Sequence, residues 1–156
     1  MKPNRTPIIL FVIITGGFLG HGRLWGHCQV PCGIYDDAMR IKMMAEHIAT
    51  IEKAMTQIET LSREQNPNYN QIVRWVTNKE KHAEEMDGII TYYFMAQRIK
   101  PPTDENSEKR TTYIRQLELL HHLLLNSMKA KQGTDTTVIQ TLKKLLAEFE
   151  KSYFEK

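Results

Sequence analysis

The chain has 156 residues, enough for one domain with a real core and too short for two comfortable ones. Its formal net charge of +3 comes from the first 26 residues, where Lys2, Arg5 and Arg23 are the only charged side chains. Residues 27–156 balance 18 Lys and Arg against 18 Asp and Glu, so there is no basic stripe to track a phosphate backbone, and nucleic acid is excluded as a partner.

Residues 1–26 read as a cleaved leader. Lys2 and Arg5 form a positive start, and Ile8 to Gly20 is an uncharged apolar run of 13 residues. Small residues follow at Gly20, Gly22 and Gly26, which is the layout of a secretory signal. The run is short for a spanning helix, which needs roughly 20 apolar residues. The expected compartment is therefore exported or periplasmic, with membrane association if the leader is retained. Cleavage after Gly22 places Gly20 and Gly22 at the two small positions, whereas cleavage after Gly26 puts Leu24 at the outer one. Residues 27–156 are expected to form the functional domain.

That domain opens on His27-Cys28-Gln29-Val30-Pro31-Cys32-Gly33-Ile34-Tyr35. Cys28 and Cys32 are the only cysteines, and a disulfide between them would close a ring of only five residues. So short a loop stabilises little, because the entropic gain grows with loop length. Thiolates select soft or borderline metals, and the adjacent imidazole of His27 adds a nitrogen donor. Pro31 and Gly33 bracket Cys32 and favour a tight turn that returns the second thiolate to the first. Structural zinc normally takes four protein ligands, more than this segment offers.

Beyond Tyr35 the apolar residues fall into helical periods. Asp36 or Asp37 can cap a first helix to about Arg63, with Ala38, Ile41, Met44 or Ala45, Ile48, Ile51, Met55, Ile58 and Leu61 on its apolar face. Asn66-Pro67-Asn68 breaks it. A second helix is expected from about Tyr69 to Arg98, carrying Ile72, Val73, Val76, Met86, Ile89, Ile90, Tyr93 and Phe94, with Pro101-Pro102 as its stop. A third runs from about Glu108 to Lys131, with Tyr113, Ile114, Leu117, Leu120, Leu124 and Met128 facing in. Gly133 stops it, and Thr134 or Asp135 begins a fourth that uses Val138, Leu142, Leu145, Leu146, Phe149 and Tyr153. The sum is an all-α chain: an antiparallel up-down four-helix bundle preceded by an N-terminal metal-binding hook. The methionines at 39, 43, 44 and 55 read as core filler.

The string His27-Cys28-x-x-Pro31-Cys32-Gly33-x-Tyr35, continued by Asp36 and an all-helical chain with a Lys100-Pro101-Pro102 break, resembles the nickel-containing superoxide dismutases. The resemblance implies one nickel ion per chain. Its ligands would be the terminal amine and imidazole of His27, the backbone amide of Cys28, and the thiolates of Cys28 and Cys32. It implies disproportionation of superoxide to dioxygen and hydrogen peroxide through a Ni(II)/Ni(III) couple, with Tyr35 at the mouth of the site as the catalytic side chain. It also implies a homo-oligomer, a hexamer by family resemblance, and a signal peptidase or maturation protease that exposes His27.

Three positions depart from the family pattern. Gln29 stands where Asp is frequent. Lys42 stands near the position of a Glu that orients the axial His, and His82 near that of an Arg; Glu46 is one turn from the former. The same hook also admits a non-redox carrier for nickel or copper. A di-iron carboxylate bundle needs two Glu-x-x-His motifs, and only Glu118 to His121 fits, once.

Overall fold

Four helices follow one another with no strand among the described residues, which in this computed structural model are 33–103 and 107–155. Helix α1 spans Asp37–Ser62 and is capped by Asp36, whose carboxylate accepts the Met39 amide at 2.9 Å. The Pro67 turn hands over to Asn68, which caps α2 by accepting the Gln71 amide at 3.2 Å. Helix α2 is α-wound over Tyr69–Gly88 and continues without a break as a π-wound segment over Ile89–Arg98. The Ile99 amide, bonded to the Phe94 carbonyl at 2.8 Å, closes that last wide turn, and Pro101-Pro102 prevents further winding. Helix α3 covers Ser107–Gln132 and α4 covers Thr137–Phe154. The start of α4 is held by Asp135, whose two carboxylate oxygens accept the Thr137 amide at 2.9 Å and its hydroxyl at 2.7 Å.

The helices pack in a ring, α1 on α2, α2 on α3, α3 on α4 and α4 back on α1, as an up-down bundle requires. Pairs at the helix ends fix the antiparallel sense. The end of α2 (Arg98) and the end of α4 (Tyr153) both reach Asp37 at the start of α1. The centre is filled by Met44, Ile48, Ile51 and Met55 from α1 and Met86, Ile90 and Phe94 from α2. Leu119, Leu120 and Leu123 from α3 and Ile139, Leu142 and Phe149 from α4 complete it. Phe94 stands edge-on to both Phe149 and Tyr153, with ring centroids 5.0 and 5.5 Å apart, which locks the π-wound segment against α4. Met44 and Met55 are core residues as expected, whereas Met39 lies exposed.

Two faces differ from their periodic reading. On α2, Val73 is 62% exposed and Val76 also faces out, while Lys79 is buried at 4% exposure. On α3, Ile114 and Met128 are exposed, and the inward stripe passes instead through Leu119, Leu120, Leu123, Ser127 and Ala130. The leucine-dense run 117–125 supports more than one stripe. The small residues decide between them, because Ser127 and Ala130 let α3 approach α2 closely; Ser127 Oγ donates to the Ala83 carbonyl at 3.5 Å. Glu118 and His121 both face solvent, so the bundle interior holds no di-iron motif of that pair.

The buried Lys79 replaces an apolar anchor with a cap. Its ammonium donates to the carbonyls of Ala130, Lys131 and Gly133 at 2.8, 2.7 and 2.7 Å, satisfying the open end of α3 where the macrodipole is negative. Burial pushes its pKa below the usual lysine range, opposed by nearby Glu80. Lys79→Met keeps the stem and removes the donor, leaving three carbonyls without their partner. Urea unfolding should show a loss of about 2 kcal/mol, with helix content by circular dichroism retained.

Candidate metal centre

His27, Cys28 and Cys32 lie outside the described residues, as does the leader 1–26. The described chain begins at Gly33, directly after the second thiolate, and its φ of +80° lies in the left-handed region that glycine adopts without strain. A Cβ there would meet no neighbour within 4 Å, so the demand for glycine is conformational rather than steric. Gly33 thus supplies the conformation expected of it, while the rest of the turn, Pro31 and Cys32, lies outside the described residues. The donor types also suit nickel(II), since two thiolates and an imidazole are soft and borderline ligands.

From Gly33 the chain crosses the exposed Ile34 to Tyr35, which is 39% exposed at the end of the bundle. Tyr35 is held on three sides. Its ring stands edge-on to Tyr93 with centroids 5.9 Å apart, the Arg98 guanidinium lies 4.4 Å from its ring centroid, and its hydroxyl donates to Gln97 Oε1 at 3.4 Å. All three partners belong to the π-wound segment. A second cation, Arg40, sits 5.0 Å from the centroid of the Tyr93 ring and has no carboxylate within ion-pair distance among the described residues.

Beneath Tyr35 lies Asp37, the acceptor for four donors. Oδ1 takes the Tyr93 hydroxyl at 2.7 Å and Arg98 Nε at 2.8 Å; Oδ2 takes Arg98 Nη2 at 2.7 Å and the Tyr153 hydroxyl at 2.8 Å. The Arg98 fork is bidentate, the strong form of this pair. Burial works to raise the Asp37 carboxyl, but the hydrogen bonds from Arg98, Tyr93 and Tyr153 outweigh it and hold the pKa below the usual range. Burial and the same carboxylate push Tyr93 up to about 12 and raise Tyr153. Tyr93 and Arg98 are five residues apart, which in an α-helix would set them about 140° apart around the axis. Wider π winding narrows that angle, and both reach a single carboxylate.

The sequence singled out Tyr35, which is 39% exposed and packs against Tyr93, Gln97 and Arg98. The sequence had Asp37 only as a possible cap and Arg98 only as a helix end, because no local pattern marks a contact between residues 37, 98 and 153. Lys42 and Glu46 are exposed on α1, and the His27 ring against which they are weighed lies outside the described residues. His82 meets His47 across α1 and α2, with Nδ1 atoms 2.9 Å apart.

Asp37's folded pKa lies below the usual aspartate value of 3.8. Its contribution to stability is therefore present above that value and lost as pH falls through the lower folded one. Asp37→Asn should cost about 2 kcal/mol at pH 7 by leaving the partly buried Arg98 without its carboxylate. It should also flatten the acid limb of stability. Urea midpoints at pH 7 and at pH 3 for both proteins check the two effects.

Comparison with curated proteins and with solved structures gives no match. The sequence profile described as nickel-containing superoxide dismutase matches residues 23–156, which takes in the His27–Tyr35 segment and the whole bundle. The chain thereby belongs to the nickel-containing superoxide dismutase family, an all-helical oxidoreductase with nickel as its cofactor and superoxide as its substrate.

Proposed function

We propose that superoxide is disproportionated at the hook His27–Tyr35, with His27, Cys28 and Cys32 as the nickel ligands and Tyr35 as the side chain that meets the substrate. The observation that carries this reading is the position of Tyr35. It follows Gly33 by two residues and is held at the bundle end by Tyr93, Gln97 and Arg98, with the side chain still partly open to solvent. Nickel bound there supplies one-electron chemistry through a Ni(II)/Ni(III) couple that anionic sulfur donors bring into reach. Two superoxide ions and two protons give one dioxygen and one hydrogen peroxide.

The protein's own groups supply attraction and orientation. Arg40 and Arg98 flank the Tyr35–Tyr93 pair, and Arg40, free of a carboxylate among the described residues, draws an anion toward this end. Arg98 is neutralised by Asp37 and acts instead as a rigid plate under the Tyr35 ring. Gln97, whose Nε2 donates to the Tyr92 carbonyl at 2.7 Å, is thereby oriented to present Oε1 to the Tyr35 hydroxyl. That fixes the hydroxyl, whose oxygen can accept from a water placed between it and the substrate.

Use of the His27 terminal amine requires cleavage of the bond between Gly26 and His27, by a signal peptidase or a dedicated maturation protease, in an exported protein. Ordering a hook of about nine residues is unfavourable by itself, so assembly into a homo-oligomer that shelters it is the consistent arrangement, a hexamer by family resemblance. Exposed apolar side chains such as Val73, Leu125 and Met128 are available for such contacts.

N-terminal sequencing of the mature protein should begin at His27, with one nickel per chain and fast superoxide decay. Cys28→Ser or Cys32→Ser should abolish nickel and decay while sparing helix content. A mature chain that starts at Arg23, or nickel without decay, would overturn the reading; the latter would leave a carrier. Tyr35→Phe should retain nickel and lower kcat by about 3- to 10-fold, the factor for one hydrogen bond of about 0.7–1.4 kcal/mol, as measured by pulse radiolysis on metal-quantified protein.

A further inference from the structure

A second group of metal-ligating side chains lies away from Tyr35. His47 on α1 is ten residues beyond Asp37, about 15 Å along the helix. It faces His82 and Glu85, which are one turn apart on α2. His47 Nδ1 and His82 Nδ1 are 2.9 Å apart, and Glu85 Oε2 lies 3.6 Å from the first and 3.7 Å from the second.

These three edges describe a triangle whose in-plane centre is about 2.0 Å from every corner, the bond length of zinc to imidazole nitrogen and carboxylate oxygen. Their mean is about 3.4 Å, the edge of a tetrahedron around zinc with bonds of about 2.1 Å. The carboxylate oxygen is too far from either ring for a hydrogen bond, yet one point lies at bonding distance from all three atoms.

The surroundings favour a cation ligand set over a plain polar contact. His47 is 9% exposed and packed among core residues, and its Nε2 has no hydrogen-bond partner, so Nδ1 is the one atom of the ring engaged in a polar interaction. Burial, reinforced by His82, holds its pKa below the usual histidine range, which keeps the lone pair that a metal needs. His82 is partly exposed and Glu85 exposed, so an ion can enter from solvent and keep a fourth, water-filled position. Lys81, 3.7 Å from Glu85 Oε1, engages the other carboxylate oxygen and leaves Oε2 to the site.

We propose that His47, His82 and Glu85 form a second metal site, separate from the nickel hook, that binds zinc(II) through two imidazole nitrogens and one carboxylate oxygen and ties α1 to α2. With His47 and His82 35 residues apart in sequence, the ion cross-links the two helices that lead to Asp37 and Tyr35.

The test uses the full chain carrying Cys28→Ser and Cys32→Ser, so that hook thiolates take no metal, stripped with a chelator and titrated with zinc(II) by calorimetry. One high-affinity zinc per chain is expected, with a raised midpoint of thermal unfolding. His82→Gln and Glu85→Gln, added separately to that background, should each weaken binding by at least roughly the 100-fold seen for strong supporting interactions of metal ligands, and remove the thermal shift. Glu85→Gln changes an exposed side chain and leaves the packing intact, so its result stands even where His82→Gln alters the fold. Cobalt(II) in place of zinc should give the intense visible absorption of a four-coordinate ion. Absence of a high-affinity zinc, or affinity unchanged in either variant, would overturn the proposal; the second result would place the zinc on exposed imidazoles such as His121 and His122.

Discussion

One carboxylate organises the end of the bundle at which Gly33 to Tyr35 lead into α1. Asp37 collects the start of α1, the π-wound end of α2 and the end of α4 through four hydrogen bonds, two of them from one guanidinium. In a partly buried setting an ion pair stabilises only if its remaining lone pairs are also satisfied, and the hydroxyls of Tyr93 and Tyr153 do this. Everything that holds Tyr35 is attached to this point. Tyr93 receives its ring edge-on, Arg98 lies against its face, and Gln97 between them accepts its hydroxyl. The position of Tyr35 is thus set by a network anchored two residues further along the chain.

The π winding of residues Ile89–Arg98 is what makes the network possible. With α winding, Tyr93 and Arg98 would point in different directions and Asp37 could satisfy only one. The wide turn is held from the other side by Phe94 against Phe149 and Tyr153, and it ends where Pro101-Pro102 forbids continuation. Unusual winding at a functional end of a helix fits a general tendency of π segments. Here its effect is concrete, since it converts one helix face into a three-residue clamp of Tyr93, Gln97 and Arg98.

Away from that end, polar groups in the bundle sit where two helices meet. Lys79 caps α3 from α2, and His47 on α1 meets His82 and Glu85 on α2. Both interrupt an apolar stripe, and both pin a helix pair that lies upstream of the clamp. Buried polar groups need partners: the lysine has three carbonyls, whereas His47 is engaged only at Nδ1, through His82, and leaves Nε2 without one. They give the bundle fixed registry where leucines alone would allow sliding.

Much of this protein was legible in its sequence. The helix cap at Asp36, the breaks at Asn66-Pro67-Asn68 and Pro101-Pro102, and the apolar periods of α1 and α4 are local properties, set by residues within a turn of one another. The His27–Tyr35 string is local as well, and with the helical pattern that follows it carried the resemblance to the family. The inward stripe of α3 was not legible, because a leucine-dense run offers several stripes and only the close approach at Ser127 and Ala130 selects one. Nor were Asp37 with Arg98 and Tyr153, Lys79 with the end of α3, or His47 with His82. Each joins residues from 35 to 116 positions apart, and each depends on the rotation of one helix against another. Local chemistry determines where helices begin, where they end and which ligands the chain offers; only packing decides which distant charges and imidazoles come to share a point in space.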